Sequence, residues 1–416
     1  MRDNGKVLRC VLLLAALLST TILLAQGGHA ESPESIAAPP ANASKLNDAV
    51  TRMVRRLDAG QTTLTIDRER GYLPSLLREL HIPVSSQVLV FSKTSLQFRF
   101  ITPQTPRAIY FNDDVYVGFV PDGELIEISA VDPDRGAIFY TQTQLPRARP
   151  RLVTNHDCLQ CHATAATQGV AGHLLRSVFT RSDGQMDSRA QTFLTDHRSP
   201  FAERWGGWYV TGSLSGDTHM GNAFLRDGAD PAEFDRTPGT ALRNVAGRFH
   251  SERYLTGDSD VVALMVLDHQ VRMHNLLARL HQEAGSARMG EALEELLRYT
   301  LFVDEATLKG PITGSTRFAT EFEQRGPSDS NGRSLRQFDL HTRLFRYPCS
   351  YLIYSAAFLA LPDPVKQQFY SRLGEILSGA DASPAFARLQ RTDRTAIAEI
   401  LSATHTEFAA YQANHH

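Results

Sequence analysis

The sequence predicts an α+β protein, with an antiparallel sheet in its first half and an all-α second half. Three observations carry this. Between Gln87 and Thr143, the short runs "QVLVFSK", "LQFRFIT", "RAIYF", "VYVGFV", "ELIEISAV" and "GAIFYTQT", rich in β-branched and aromatic residues, alternate with the turn signals "TPQTP", "FNDD", "PDG" and "DPDRG". From Asp260 onward the apolar spacing changes to that of helices. Between these halves, residues 226–240, "RDGADPAEFDRTPGT", have a linker's composition. The expected division is therefore a sheet domain over 46–225, a linker over 226–240 and a helical domain over 241–416.

The elements follow in order. Arg2, Lys6 and Arg9 precede the uncharged run Val11–Ala25, and "GGHA" ends at Ala30. A basic start, a short apolar run and a small-residue exit predict a cleaved secretory signal over 1–30. The run is shorter than the roughly 18–20 apolar residues of a spanning helix, so an uncleaved anchor is the alternative reading. The mature chain is then expected in the periplasm, with no integral membrane span. Residues 31–45, "ESPESIAAPPANASK", read as a flexible leader. One or two helices are expected from Asn47 to Leu80, broken at "DAGQT" and near Pro74. After the strands, "LLRSVFTRSDGQMDSRAQTFLT" predicts a hairpin turning near Asp183-Gly184, and "GGWYVTGSL" a further strand. The helix from Asp260 places Val262, Met265, Val266, His269, Met273, Leu276, Leu277 and Leu280 on one face, with His274 and His281 toward solvent. Helices are also expected in "MGEALEELLRYTLFVDEA", "PCSYLIYSAAFLAL", "PVKQQFYSRLGEIL" and "RTAIAEILSATHTEFAAY".

A formal net charge of −2 offers no bulk attraction for nucleic acid or an acidic membrane surface. The chain has 4 cysteines. Cys10 lies in the signal, which leaves Cys158, Cys161 and Cys349, too few for a disulfide framework.

Two of these cysteines stand in "NHDCLQCHA", residues 155–163. C-x-x-C-H is a haem-attachment spacing. Two intervening residues on a helical turn bring both sulfurs to the vinyl edge of one macrocycle, and the adjacent histidine lies under the iron. This assigns thioether bonds to Cys158 and Cys161, and proximal ligation to His162. A thioredoxin-like dithiol would follow a strand of a βαβ unit, whereas "LPRARPRLV" precedes this motif. A zinc site would need a second ligand pair, and no other cysteine pair exists. One motif implies one covalent haem c, attached outside the cytoplasm, in agreement with the export signal.

The sixth iron position decides what such a haem does. His219 and Met220, in "DTHMGN", are candidates from a glycine-bearing loop, and His269 is a candidate from the apolar helix face. A loop histidine and a satisfied core histidine are the structural alternatives. Arg198, Arg204 and Trp205, in "DHRSPFAERWGGWYV", are candidates to hold the haem: guanidinium matches propionate, and tryptophan packs on the macrocycle. Their structural alternative is a loop locked by Asp196–Arg pairing. Cys349 is expected to be a buried thiol.

Several strings, "SKTSLQ", "YFNDDVYVGFVP", "NHDCLQCHA", "DHRSPFAERWGGWYVTG", "THMGN", "VALMVLDHQVRMHN", "SYLIYS" and "YSRLGEILSG", together resemble large secreted bacterial cytochrome c domain-containing proteins with a single haem. The resemblance spans about 85 to 405. It implies a haem-bearing periplasmic protein with a helical C-terminal half, carries over Cys158, Cys161 and His162, and implies no particular reaction. A sheet with an inserted haem segment also resembles PAS- or Cache-like ligand-binding folds. The expected function is haem binding and electron transfer with a redox partner protein. Two alternatives stand beside it: a peroxidase- or oxidase-like enzyme with an open distal site, and a haem-based gas or redox sensing module.

Overall fold

The computed structural model describes residues 46–145, 150–237 and 239–415. The expected signal (1–30) and leader (31–45) lie outside the described residues. The first half is built on a seven-stranded sheet: β1 (Val88–Val90), β2 (Arg107–Phe111), β3 (Val115–Phe119), β4 (Leu125–Asp132), β5 (Gly136–Thr143), β6 (Leu152–Thr154) and, returning later in the chain, a two-residue strand at Trp208–Tyr209. The spatial order is β6-β5-β4-β3-β2-β1 and then Trp208–Tyr209, each neighbour antiparallel. The turn signals separate these strands as expected, except that "LQFRFIT" is no strand: Phe98–Phe100 forms a 3₁₀ turn between β1 and β2.

Register sorts the side chains onto two faces. On one face Leu89, Ala108, Tyr110, Val117, Ile128 and Tyr140 pack beneath helices α1 (Ala49–Asp58) and α2 (Leu73–Glu79). Asp48 caps α1 by accepting from the Val50 and Thr51 amides, and the Tyr140 hydroxyl donates to the same carboxylate at 2.6 Å, which pins the helix to β5. Pro74 starts α2 rather than breaking a helix, because the first helical turn has no amide to lose there. The other face carries Val88, Val90, Phe111, Tyr116 and Val131 into the core of the helical half.

Between the halves, a 3₁₀ turn at His156–Cys158 and a four-residue helix α3 (Leu159–His162) carry the C-x-x-C-H motif. A short hairpin, β7 (Arg176–Ser177) with β8 (Phe193–Leu194), turns at Asp183-Gly184. Trp208–Tyr209 is β9. Strands β10 (Gly212–Leu214), β11 (Ala241–Leu242) and β12 (Ile312–Thr313) form a small separate sheet.

The second half is all-α apart from these two-residue strands. It comprises α4 (Val261–Glu283), α5 (Met289–Thr300), α6 (Phe318–Glu323), α7 (Ala356–Leu359), α8 (Asp363–Ser378), α9 (Arg391–Thr404) and α10 (Thr406–His415). The helix expected over "PCSYLIYSAAFLAL" is divided, because Ser355 accepts from the Phe358 amide and restarts the chain as α7 after a 3₁₀ turn at Tyr351–Tyr354.

Helix α4 is capped by Asp260, which accepts from the Val262 and Ala263 amides. It is buried nearly all round instead of on one face, since the sheet lies on one side and α5, α6 and α7 on the other. His274, expected at the surface, is therefore buried at 3 % exposure, and its Nε2 meets the Asp113 carbonyl at 2.8 Å.

Residues 226–240 are not an extended tether. Phe234 is buried edge-on against Phe179, and β10 pairs with both β11 and β12 across this stretch. Leu46–His416 forms one compact unit, in which the largest apolar cluster joins one face of the sheet to the helices. Among the described residues no helix is long and apolar enough to cross a membrane.

Candidate haem-attachment site

The motif leaves the sheet from its edge strand. Val153 pairs with Thr141, and the Asn155 amide donates to the Phe139 carbonyl at 2.9 Å. The Asn155 side chain then accepts from the Asp157 amide and caps a 3₁₀ turn, His156–Cys158, that runs into α3. Cys158 and Cys161 thus sit three residues apart on one helical turn, on neighbouring positions of its surface. Both are free thiols, Cys158 half-buried and Cys161 exposed. Burial, reinforced by the Glu127 carboxylate, holds the Cys158 thiol above its ordinary pKa, so it is protonated at neutral pH.

His162 packs its ring on Phe139, with centroids 4.7 Å apart. Its Nδ1 lies 2.9 Å from the Gly172 carbonyl. A carbonyl only accepts, so the proton is on Nδ1 and the lone pair is on Nε2, which has no hydrogen-bond partner among the described residues. Burial lowers the pKa of the ring, against the pull of the Gly172 hydrogen bond, and keeps it neutral. A neutral imidazole with a fixed tautomer and a free Nε2 is what an iron ligand requires.

Charged groups surround the motif on the sheet face. Arg107 on β2 and Glu127 on β4 form an ion pair at 2.8 Å, and both act electrostatically on His162 and Cys158. The guanidinium lies across Gly118 of β3, where a Cβ would stand 2.6 Å from Arg107 Nε. Arg176 on β7 also acts on His162, and among the described residues it pairs with no carboxylate. Val153, just before the motif, and Leu194, paired with Arg176, are exposed apolar side chains. None of these was singled out from sequence. Their only signal was a charge at an inward position of a strand, Arg107 in "RAIYF" and Glu127 in "ELIEISAV".

The other sequence candidates gather elsewhere, around the first half of α4. Arg204, 2 % exposed, donates to the Ser199 and His197 carbonyls and meets Asp268 at 3.3 Å. Trp205 Nε1 donates to the same carboxylate at 3.0 Å, and Thr195 Oγ1 does so at 2.9 Å. Arg198 is held by Asp196 and lies over the Tyr299 ring. Of the three, Arg198 makes the Asp196 pairing of the locked-loop alternative, whereas Arg204 and Trp205 are held by Asp268.

His269 has both nitrogens engaged, Nδ1 with His197 Nδ1 at 2.8 Å and Nε2 with Ser350 Oγ at 2.8 Å. His219 Nδ1 accepts from the Gly221 amide at 3.0 Å, its ring is edge-on to Trp205, and Gly239 supplies a backbone hydrogen bond. Met220 Sδ is 3.6 Å from Ser177 Oγ. No hydrogen bond or ring contact among the described residues joins His219, Met220 or His269 to the motif. Cys349 is buried, which pushes its thiol up to about 12.

The residues present fit a haem c: two free thiols on one turn, one imidazole with a free Nε2, an aromatic support, and a guanidinium beside the motif for carboxylates. Among the described residues no group of three or more His, Cys, Asp or Glu converges on a metal-sized point. A haem brings four ligands of its own and needs only one or two from protein. No protein-family model, no curated protein and no solved structure matches this chain.

Proposed function

We propose that the protein is a periplasmic mono-haem c-type cytochrome. Cys158 and Cys161 would hold the haem through thioethers, and His162 Nε2 would be the proximal ligand. The observation that carries the reading is the Nδ1–H hydrogen bond from His162 to Gly172, within a C-x-x-C-H turn, which leaves Nε2 to face a metal. Bound there, the haem supplies one-electron chemistry. The chain's residues would fix the imidazole, shield one face with Phe139, and offer Arg176 to propionates. Export is supported by the basic and apolar start of the sequence, and the role is electron transfer with a redox partner protein. The likeness to PAS- or Cache-like sheets is supported by an antiparallel sheet with α1 and α2 on one face and the ligand-bearing segment, beside α4, on the other.

A second reading is favoured by the placement of the distal candidates. His219 and His269 spend their nitrogens on other partners, and Met220 is tied to Ser177. An open sixth position would then bind a small ligand, as in a peroxidase-like enzyme or a gas sensor. The absorption spectrum of the purified protein, ferric and reduced, with and without carbon monoxide, separates the two. A low-spin spectrum that carbon monoxide leaves unmoved supports the electron carrier. Ready carbon monoxide binding supports the open site. Intact-protein mass without an added haem overturns both.

A further inference from the structure

We propose that Asn275, on α4, is a positioning residue for the iron ligand His162, so that the helical half of the chain sets the haem's reduction equilibrium. This rests on the haem reading above. The contacts are few and direct. His162 Nδ1–H donates to the Gly172 carbonyl, and the Gly172 amide returns to the His162 carbonyl at 2.8 Å. The ring and its own backbone are therefore both tied to residue 172. The next residue, His173, is gripped from both sides by one side-chain amide. Its N–H donates to Asn275 Oδ1 at 2.8 Å, and Asn275 Nδ2–H donates to its carbonyl at 2.8 Å.

Both residues are buried, Asn275 at 3 % and His173 at 7 % exposure. The approach is close enough that a Cβ on residue 172 would collide with Asn275 Oδ1, so glycine is required there by the helix and not by a turn. Farther back in the same loop, Gln168 Nε2 donates to Glu295 of α5 at 3.1 Å, and that carboxylate also takes Arg272 and Arg279 of α4. The loop carrying the acceptor for His162 is thus held at two points by the helices.

The consequence follows from ligand basicity. A carbonyl fixed against Nδ1–H makes the imidazole a stronger electron donor, which favours oxidised iron. Loosening that carbonyl favours the reduced form. A merely structural asparagine would change stability and leave this equilibrium where it was.

The test uses the full chain carrying its haem, as wild type, Asn275→Ala and Gly172→Ala, with the ferrous fraction read in redox-buffered solution and thermal unfolding measured alongside. The expected result for Asn275→Ala is a shift of about tenfold toward the ferrous form, about 59 mV for one electron. Gly172→Ala keeps the asparagine but pushes the loop and its side-chain amide apart, and it should shift the equilibrium in the same direction. Should Asn275→Ala fail to fold, Gly172→Ala decides the question. Covalent haem in all forms with less than a twofold shift overturns the proposal, even if the unfolding temperature falls. Wild type lacking covalent haem by mass overturns the haem reading itself, and this proposal with it.

Discussion

Replacing Asp268 with alanine asks whether Arg204 and Trp205 serve the core or a cofactor. Asp268 is fully buried and accepts from Thr195 Oγ1, Trp205 Nε1 and Arg204. Burial pushes its carboxyl up to about 6 while Arg204 pulls it down, so at pH 7 it is ionised and paired. Truncation strands a guanidinium that is 2 % exposed. Breaking a buried pair this way costs about 3–5 kcal/mol. The orphaned indole N–H and hydroxyl would each add about 1–3 kcal/mol in isolation, but groups sharing one partner do not add. A net loss of about 4 kcal/mol is expected, a large share of the roughly 5–15 kcal/mol of a typical fold. Adding Arg204→Met removes the stranded charge and should return about 2 kcal/mol. Urea unfolding at pH 7 reads this through Trp205, a member of the network, and Trp208, the chain's 2 tryptophans, both buried. A loss below about 1 kcal/mol, the scale of a surface ion pair, would refute the reasoning. So would an Arg204→Met variant whose haem spectrum shifts while its unfolding does not.

Three further outcomes are expected. Cys158→Ala with Cys161→Ala should abolish covalent haem by intact mass, while Cys349→Ala should leave it unchanged; haem retention in the double variant would remove the thioether assignment. Burial holds His219 and His274 at about 4, below the exposed value of 6.5. Because the folded state favours the neutral rings, their contribution is complete above pH 6.5 and is lost as pH falls through about 4; urea midpoints should drop over that window, less steeply in His219→Gln, and a flat profile would contradict this. Asp260→Ala removes the cap of α4 and the acceptor for Thr316, and should cost about 1–2 kcal/mol in the same unfolding assay, the range measured for lost caps.

The elements readable from sequence were those governed by neighbours along the chain. Turn residues delimit β2 to β5, and the 3.6 period of "DVVALMVLDHQVRMHNLL" marks α4. The motif at 158–162 is local as well, since its chemistry needs only adjacent residues. What stayed hidden depends on pairing across the fold. Arg107 and Glu127 become neighbours through Gly118, by the register of β2, β3 and β4. His269 finds His197, and His173 finds Asn275, only because α4 runs through the middle of the protein. The arginine-rich loop suggested propionate binding by composition, but Asp268, 63 positions beyond Trp205, takes up the donors of Arg204 and Trp205. Phe234 was masked by the polar residues around it and proves to anchor the supposed linker.

The small sheet has a consequence for the order of events in making this protein. β10 at residues 212–214 is completed by β12 at residues 312–313, and β9 closes back onto β1 from more than a hundred positions away. Such long closures are slow and come late in folding. A chain emerging from its N-terminus therefore displays Cys158 and Cys161 before α4 arrives to lay Asn275 against the loop behind them. Any enzyme that modifies these thiols meets them first on a loop that α4 has not yet fixed, and Cys161 stays exposed after α4 has docked. Folding speed in the second half would thus set how long the segment behind the thiols stays loose.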